Sequence, residues 1–257
     1  MDLQLRGKTA LITGSSSGIG RGCAEVLAAE GCNIVVTSRS LDKARVAAED
    51  LHARHGVRTV PVAVDVSSEE GVESMFDEAR DAFGSIDYLV NNAGGAPGDS
   101  KRFFESFAEY DSDYWDAMIR LNLYSAFWAS RRLARDLIRD RKGGAIVNVT
   151  SKSAILSTSV GNEHYASAKA GMIGLTRSCA KELISKGIRV NAIIPGYVAT
   201  EHVHRPGDKR TEEKRKILPT GQFATPLDMG YATAFLLSPL AGQINGALMD
   251  CTGGTLV

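Results

Sequence analysis

Apolar positions along the chain fall into two alternating kinds of segment. Short runs rich in β-branched and other apolar residues occupy 8–13, 33–37, 59–64, 86–90, 145–150, 188–194 and 246–249, and each has the length of a strand. Between them, apolar residues recur at three- and four-residue spacing across 18–30, 42–54, 69–83, 113–140, 163–185 and 226–237, the period of a helix that buries one face. Strand and helix alternating from end to end predict a parallel sheet with helices on both faces. The expected fold is therefore α/β: a single doubly wound, Rossmann-type domain over 1–257 with seven strands. Pro61 lies inside the third run. Proline cannot donate to a strand ladder, so that strand is expected at a sheet edge, where the doubly wound order 3-2-1-4-5-6 also puts it.

Two connections are longer than minimal turns. The stretch 94–113 carries Phe103, Phe104, Phe107 and Tyr110, and 196–225 carries the mixed-charge run 201–216. Both follow strand ends, where open α/β sheets bind ligands, so both are candidate substrate walls, with 196–225 as a lid segment. The run 201–216 reads equally as a solvated mixed-charge helix and as part of a mobile lid, and the two are compatible.

Charge and composition narrow the partners. Among 257 residues, 30 Lys and Arg balance 30 Asp and Glu, which removes the global attraction to nucleic acid or anionic membrane that a basic protein has. No run approaches 18 apolar residues, and Met1 to Arg6 has neither the basic nor the apolar region of an export signal. Cys23, Cys32, Cys179 and Cys251 are scattered, without metal or redox spacing. They read as reduced core thiols in a cytoplasmic protein, and no metal site is expected. No G-x-S-x-G elbow is present to support a nucleophilic triad. The basic positions between Arg131 and Lys142 suit a helix C-terminus.

Glycine, at 26 residues, exceeds the usual share of about 7%. Its most informative cluster is Gly14-Ser15-Ser16-Ser17-Gly18-Ile19-Gly20, directly after the first strand and opening the first helix. Strand, tight turn and helix start form a cradle in which free N–H groups and the helix dipole hold a pyrophosphate. The spacing is G-x-x-x-G-x-G rather than G-x-G-x-x-G.

Thr13 to Gly20, Asn91-Asn92-Ala93-Gly94 after the fourth strand, Tyr165-Ala166-Ser167-Ala168-Lys169, and Pro195-Gly196 after the sixth together resemble the short-chain dehydrogenase/reductase family. The match runs in order along essentially the whole chain, and Leu5 to Gly14 looks nearest the 3-oxoacyl-[acyl-carrier-protein] reductase-like branch. The resemblance implies an oxidoreductase that transfers hydride between a nicotinamide and a carbonyl or secondary alcohol of a small molecule, assembled as a homotetramer through the helices at 113–140 and 163–185.

Tyr165 and Lys169 are four apart on a helical segment, so they share a face with Cβ atoms roughly 5–6 Å apart. A lysine cation at about 5 Å would favour the phenolate by roughly 3 kcal/mol at an effective dielectric near 20, lowering the tyrosine towards a useful acid/base range. The resemblance further implies a serine at the end of the fifth strand to hold the substrate oxygen. Its usual place falls on Lys152, a departure from the family pattern, and Ser151 is the better match in strand register, with Ser153 as the alternative. Asn122 matches the family's fourth catalytic residue, which bends a helix and holds a water beside the lysine.

No acid ends the second strand, and Arg39 stands next to it after Ser38. This favours NADP, with its extra phosphate, over NAD, and Ser15 and Ser38 are candidate phosphate donors. The remaining expected cofactor contacts are Asp65, Val66, Asn92, Ala93, Gly94, Pro195, Gly196, Val198 and Thr200, with Tyr165 and Lys169. Candidate substrate residues are Ser151, Ser153, Leu156, Glu163, His164, Tyr165, Tyr197 and His202. Two alternatives stand beside the NADP(H)-dependent reductase: an NAD-dependent sugar or secondary-alcohol dehydrogenase, and a nucleotide-sensing protein that has lost catalysis.

Overall fold

The computed structural model describes residues 2–98, 102, 105–156, 160–201 and 209–257. Phe103, Phe104 and His202, expected at substrate walls, lie outside the described residues.

The apolar runs form seven strands: β1 (Thr9–Ile12), β2 (Asn33–Ser38), β3 (Thr59–Ala63), β4 (Tyr88–Asn91), β5 (Gly144–Val149), β6 (Ile188–Pro195) and β7 (Leu248–Cys251). All pair in parallel in the order β3-β2-β1-β4-β5-β6-β7. Pro61 sits opposite Val36 on β3, which among the described residues has β2 as its only strand neighbour. The sheet edge is where a residue without an N–H does least harm.

The helices are α1 (Gly18–Ala29), α2 (Leu41–His55), α3 (Glu69–Phe83), α4 (Ser112–Ile119), α5 (Ser125–Arg139), α6 (Glu163–Leu183), α7 (Lys209–Lys216) and α8 (Pro226–Leu237). They divide the core into two layers. Leu27, Ile34, Leu51, Val147 and Leu236 pack on one face of the sheet, and Leu11, Phe76, Leu89, Leu133 and Ile146 on the other. The inner strands are buried on both faces, which explains why their runs read as continuously apolar rather than alternating.

The helix expected over 113–140 is broken. A π-helical turn, Arg120–Tyr124, separates α4 from α5. Within it, Asn122 Nδ2 donates to Met118 O at 3.0 Å, and just after it Ser125 Oγ donates to Leu121 O at 2.7 Å. Side-chain bonds of this kind compete with the regular ladder and relocate backbone groups, a device found where a helix serves a site. The mixed-charge run is helical over its described part as α7.

Candidate active site

The glycine turn is shaped from several directions. Gly14 and Gly18 take φ values of +67° and +55°, and a Cβ on Gly20 would lie 2.4 Å from both Gly14 O and Asn92 Nδ2. The chain can therefore fold tightly over the start of α1 only without side chains there. Thr13 and Asn92 hold it in place. Thr13 Oγ1 accepts from the amides of Asn92 and Ala93, and Asn92 Nδ2 donates to Thr13 O and Gly14 O at 2.9 and 3.1 Å.

A cleft of about 630 Å³ opens above this turn along the carboxyl ends of β1, β2 and β4. Gly14, Ser16, Ser17, Gly18 and Ile19 line its floor. Ser38, Arg39, Asp65 and Val66 line one end, and Asn92, Ala93, Gly94 and Thr200 the other. Lys43, which the motif reading did not identify, stands in the same wall as Arg39. Its signal was one turn into α2, three residues past the Ser40 N-cap.

One expected phosphate donor is turned away from the cleft. The Ser15 hydroxyl faces inward, donating to Ile12 O at 2.9 Å and accepting from the Thr37 amide at 2.9 Å, and the residue is fully buried. Its hydrogen-bonding capacity is spent on tying β1 to β2, which leaves the neighbouring Ser16 and Ser17 at the cleft. Pro195 pairs with Cys251, Gly196 packs on Thr252, and Val198 bridges to Ala224.

The chemistry-bearing side chains meet at the end of β5. Ser151 follows that strand and caps the 3₁₀ turn Lys152–Ala154, accepting from the Ser153 amide at 3.2 Å. Its side chain is hydrogen-bonded to Tyr165. The Ser153 hydroxyl accepts from Asn162 Nδ2 at 3.5 Å. One turn along α6, Lys169 is buried, donates through Nζ to Val149 O at 2.9 Å, and stands 5.8 Å from the centre of the Tyr165 ring. A Cβ on Gly94 would be 3.3 Å from that ammonium and 2.6 Å from Asn122 Oδ1. The missing side chain thus opens a passage between the cleft and both residues.

Asn122 is fixed by reciprocal bonds to Gly95, accepting from its amide at 2.8 Å and donating to its carbonyl at 2.9 Å. A buried polar chain anchors α6 to the sheet. Asn91 Nδ2 donates to Asn148 Oδ1 at 2.8 Å, Asn148 Nδ2 to Thr176 Oγ1 at 2.8 Å, and Thr176 to Met172 O at 2.7 Å. Three partnered polar residues in an apolar core fix one register of helix on sheet, and with it the position of Lys169.

Burial dominates the acid/base behaviour. It lowers the Lys169 ammonium to about 8. It also raises the Tyr165 phenol above its ordinary value, an effect that the Ser151 hydrogen bond opposes. The downward shift expected from the Tyr165–Lys169 pairing is therefore not what this arrangement produces. The charge sits 5.8 Å from the ring and is partly used by Val149 O, so desolvation of the phenolate outweighs it.

His164, expected at a substrate wall, is turned inward. It is fully buried, stacked on Tyr110 at 4.8 Å with Tyr114 edge-on at 5.4 Å, and its Nδ1 accepts from the Tyr165 amide at 2.7 Å. It thereby orients the start of α6 from behind. Glu163 accepts from Tyr110 Oη at 3.0 Å. Leu156 is exposed. Tyr197 borders a second, smaller cavity of about 150 Å³ together with Leu218, Phe223 and Thr252. Among the described residues there is no cluster of side chains suited to a metal ion, and no helix is long and apolar enough to cross a membrane.

Comparison with known proteins bears on this geometry. Residues 14–255 match the family model described as Enoyl-(Acyl carrier protein) reductase. The chain is 34% identical to 3-oxoacyl-[acyl-carrier-protein] reductase FabG of Aquifex aeolicus, covering 99% of each. It is 37% identical to D-beta-hydroxybutyrate dehydrogenase of Cupriavidus necator, covering 97% of this chain and 98% of the relative. Among solved structures, 7 alpha-hydroxysteroid dehydrogenase complexed with NADH and 7-oxo glycochenodeoxycholic acid superposes with a TM-score of 0.89 at 31% identity, covering 98% and 96% of the two chains. A short-chain type dehydrogenase/reductase from Mycobacterium marinum does so with a TM-score of 0.89 at 28% identity, covering 98% and 97%. Cleft, polar cluster and full-length similarity agree, and the chain belongs to the short-chain dehydrogenase/reductase family of nicotinamide-dependent oxidoreductases.

Proposed function

We propose that the protein is an NADP(H)-dependent carbonyl reductase, reversible as an alcohol dehydrogenase, with Ser151, Tyr165, Lys169 and Asn122 as its working residues. The observation that carries the reading is the Ser151–Tyr165 hydrogen bond beside the buried Lys169 at the end of β5. A nicotinamide held in the cleft would supply the hydride for reduction and accept it in the reverse direction. Ser151 and Tyr165 hold the carbonyl oxygen, and Tyr165 gives it a proton. A phenol whose pKa is raised by burial keeps that proton at neutral pH, which suits the acid in reduction. Lys169 would hold the nicotinamide ribose and adds positive charge near the oxygen as the phenol loses its proton. The bond to Tyr165 favours Ser151 over Ser153 as the oxygen-binding serine. Residues 196–225 act as the lid segment.

NADP rather than NAD is supported by Arg39 and Lys43 at the end of the cleft where the adenine ribose would lie, with Ser38 beside them. A charge-assisted bond to phosphate is worth roughly 1.5–3 kcal/mol. Arg39→Ala should therefore weaken NADPH binding by about 10- to 100-fold and leave NADH affinity within about threefold. Fluorescence titration with both nucleotides checks it; equal losses for the two would count against a phosphate role.

Lys169 gives the pH dependence its sign. Its folded value, about 8, lies below that of an ordinary lysine, so the charge is present below that pH and lost above it. Reductive kcat/KM should be flat on the neutral side and fall about tenfold per pH unit on the alkaline side. Tyr165, shifted upward, stays protonated through that range. A wild-type profile flat to pH 9.5 would remove Lys169 from this role.

We further propose a cytoplasmic homotetramer. The exposed Tyr124, Phe127, Ile138 and Ile184 along α5 and the end of α6 support an interface there, and the upward-shifted thiols of Cys23 and Cys32, both pushed to about 12 by burial, suit reduced core residues. Light scattering coupled to gel filtration tests the assembly.

A further inference from the structure

Lys152 occupies the position where the family pattern places its serine, and the structure gives it an unusual setting. The residue is 7% exposed. Its ammonium lies 3.5 Å from the centre of the Tyr197 ring, and a second ammonium, Lys214 of α7, lies 5.4 Å from the same ring. Among the described residues, no carboxylate stands within ion-pair distance of either lysine. Two like charges gathered around one aromatic ring, one of them buried, make an unfavourable arrangement in the free protein. The face of a tyrosine compensates only in part for the lost hydration, and the charges repel each other. Both burial and Lys214 push the Lys152 ammonium down, as that account requires.

A negative group entering between them would resolve the imbalance. The site is placed for a substrate, because Lys152 follows Ser151 directly, and Ser151 is bonded to Tyr165. On the reductase reading given above, we infer that Lys152 and Lys214 form a subsite for an anionic group on the substrate, so that the preferred substrates are oxo acids or phosphorylated ketones and the corresponding hydroxy compounds, not neutral ketones. Tyr197 is the platform beside which the two cations are held.

The test compares charged and neutral partners by NADPH oxidation. The probes are 2-, 3-, 4- and 5-oxocarboxylates, each against its methyl ester, and dihydroxyacetone phosphate against dihydroxyacetone. Wild type should prefer at least one anionic member by about 30-fold or more in kcat/KM, the range of a charge-assisted contact. The pair that shows the preference distinguishes a carboxylate from a phosphate. Lys152→Met should reduce that ratio to within about threefold, Lys152→Arg should recover most of it, and Lys214→Met should lower it by a smaller factor. NADPH titration of each variant reports an intact cofactor cleft. A wild-type ratio near one, or a Lys152→Met variant slowed equally on acid and ester, overturns the inference and leaves the reductase reading in place. If wild type reduces none of the ketones, charged or neutral, the reductase reading fails instead. The subsite is then judged by the thermal shift that the same oxocarboxylates and dihydroxyacetone phosphate give the NADP-bound protein. A shift lost in Lys152→Met supports it, and no shift in wild type overturns it.

Discussion

Tyr165→Phe is expected to lower reductive kcat by about 10³-fold or more, while NADPH affinity changes by no more than about threefold. The substitution removes one oxygen and keeps the ring. The ring is set by α6, by its distance from Lys169 and by the His164 bond to its backbone amide, none of which needs the hydroxyl. The lost atom is the acid of the proposed reaction and the partner of Ser151. Ser151 alone is a poor substitute, since a serine hydroxyl is a far weaker acid than a phenol. The cofactor cleft is formed by the turn at Gly14–Gly20, by Arg39 and Lys43, and by Asn92 to Gly94, so binding and turnover should separate cleanly. Steady-state kinetics paired with nucleotide titration makes the comparison. A variant that keeps more than about a tenth of wild-type kcat would show that the proton comes from elsewhere.

What was legible in the chain, and what was not, follows the range of the interaction concerned. Strands and helices were readable because burial on one or two faces leaves a period in the residues themselves, and Pro61 betrayed an edge because its defect is local. The turn, Tyr165 and Lys169 were readable because their chemistry lies within a few residues. The orientation of Ser15 was not, because one hydroxyl chooses between a phosphate and the Thr37 amide of a neighbouring strand. The inward turn of His164 was hidden for a similar reason: it depends on Tyr110 and Tyr114, which lie 50 or more residues away in the chain. The raised phenol of Tyr165 also escaped the sequence argument, which assigned the lysine charge a distance but had no measure of desolvation. Lys152 was visible only as a departure from a pattern. That it shares the Tyr197 ring with Lys214 depends on β5, β6 and α7 meeting in space.

Arg189 shows the same limit at its strongest and carries the largest expected effect on stability. In sequence it merely interrupts the apolar run of β6. In the fold it is buried, with its guanidinium donating to Leu236 O at 2.7 Å, Leu237 O at 3.0 Å, Ser238 O at 2.9 Å and Ile244 O at 3.4 Å. The first three acceptors belong to the last turn of α8 and its cap. Carbonyls at that position have no partner within the helix and carry the negative end of its dipole. One side chain therefore joins the start of β6 to the end of α8 without any acidic partner among the described residues. Burial pushes the guanidinium down from its ordinary value, and the cost of desolvating it offsets part of the gain. Arg189→Met removes that cost but leaves the buried carbonyls unsatisfied, at roughly 1–3 kcal/mol each before water reaches any of them. A net loss of about 3 kcal/mol is expected, which is a fall in Tm of about 6–12 °C for a domain of this size. Arg189→Lys, with fewer donors and no planar fork, should fall between the two. The site lies at the opposite end of β6 from Pro195, so kcat at 20 °C should stay within about twofold of wild type while the melting temperature drops. A melting temperature unchanged in Arg189→Met would mean that water or local rearrangement satisfies those carbonyls, and that the arginine is not what holds α8 to the sheet.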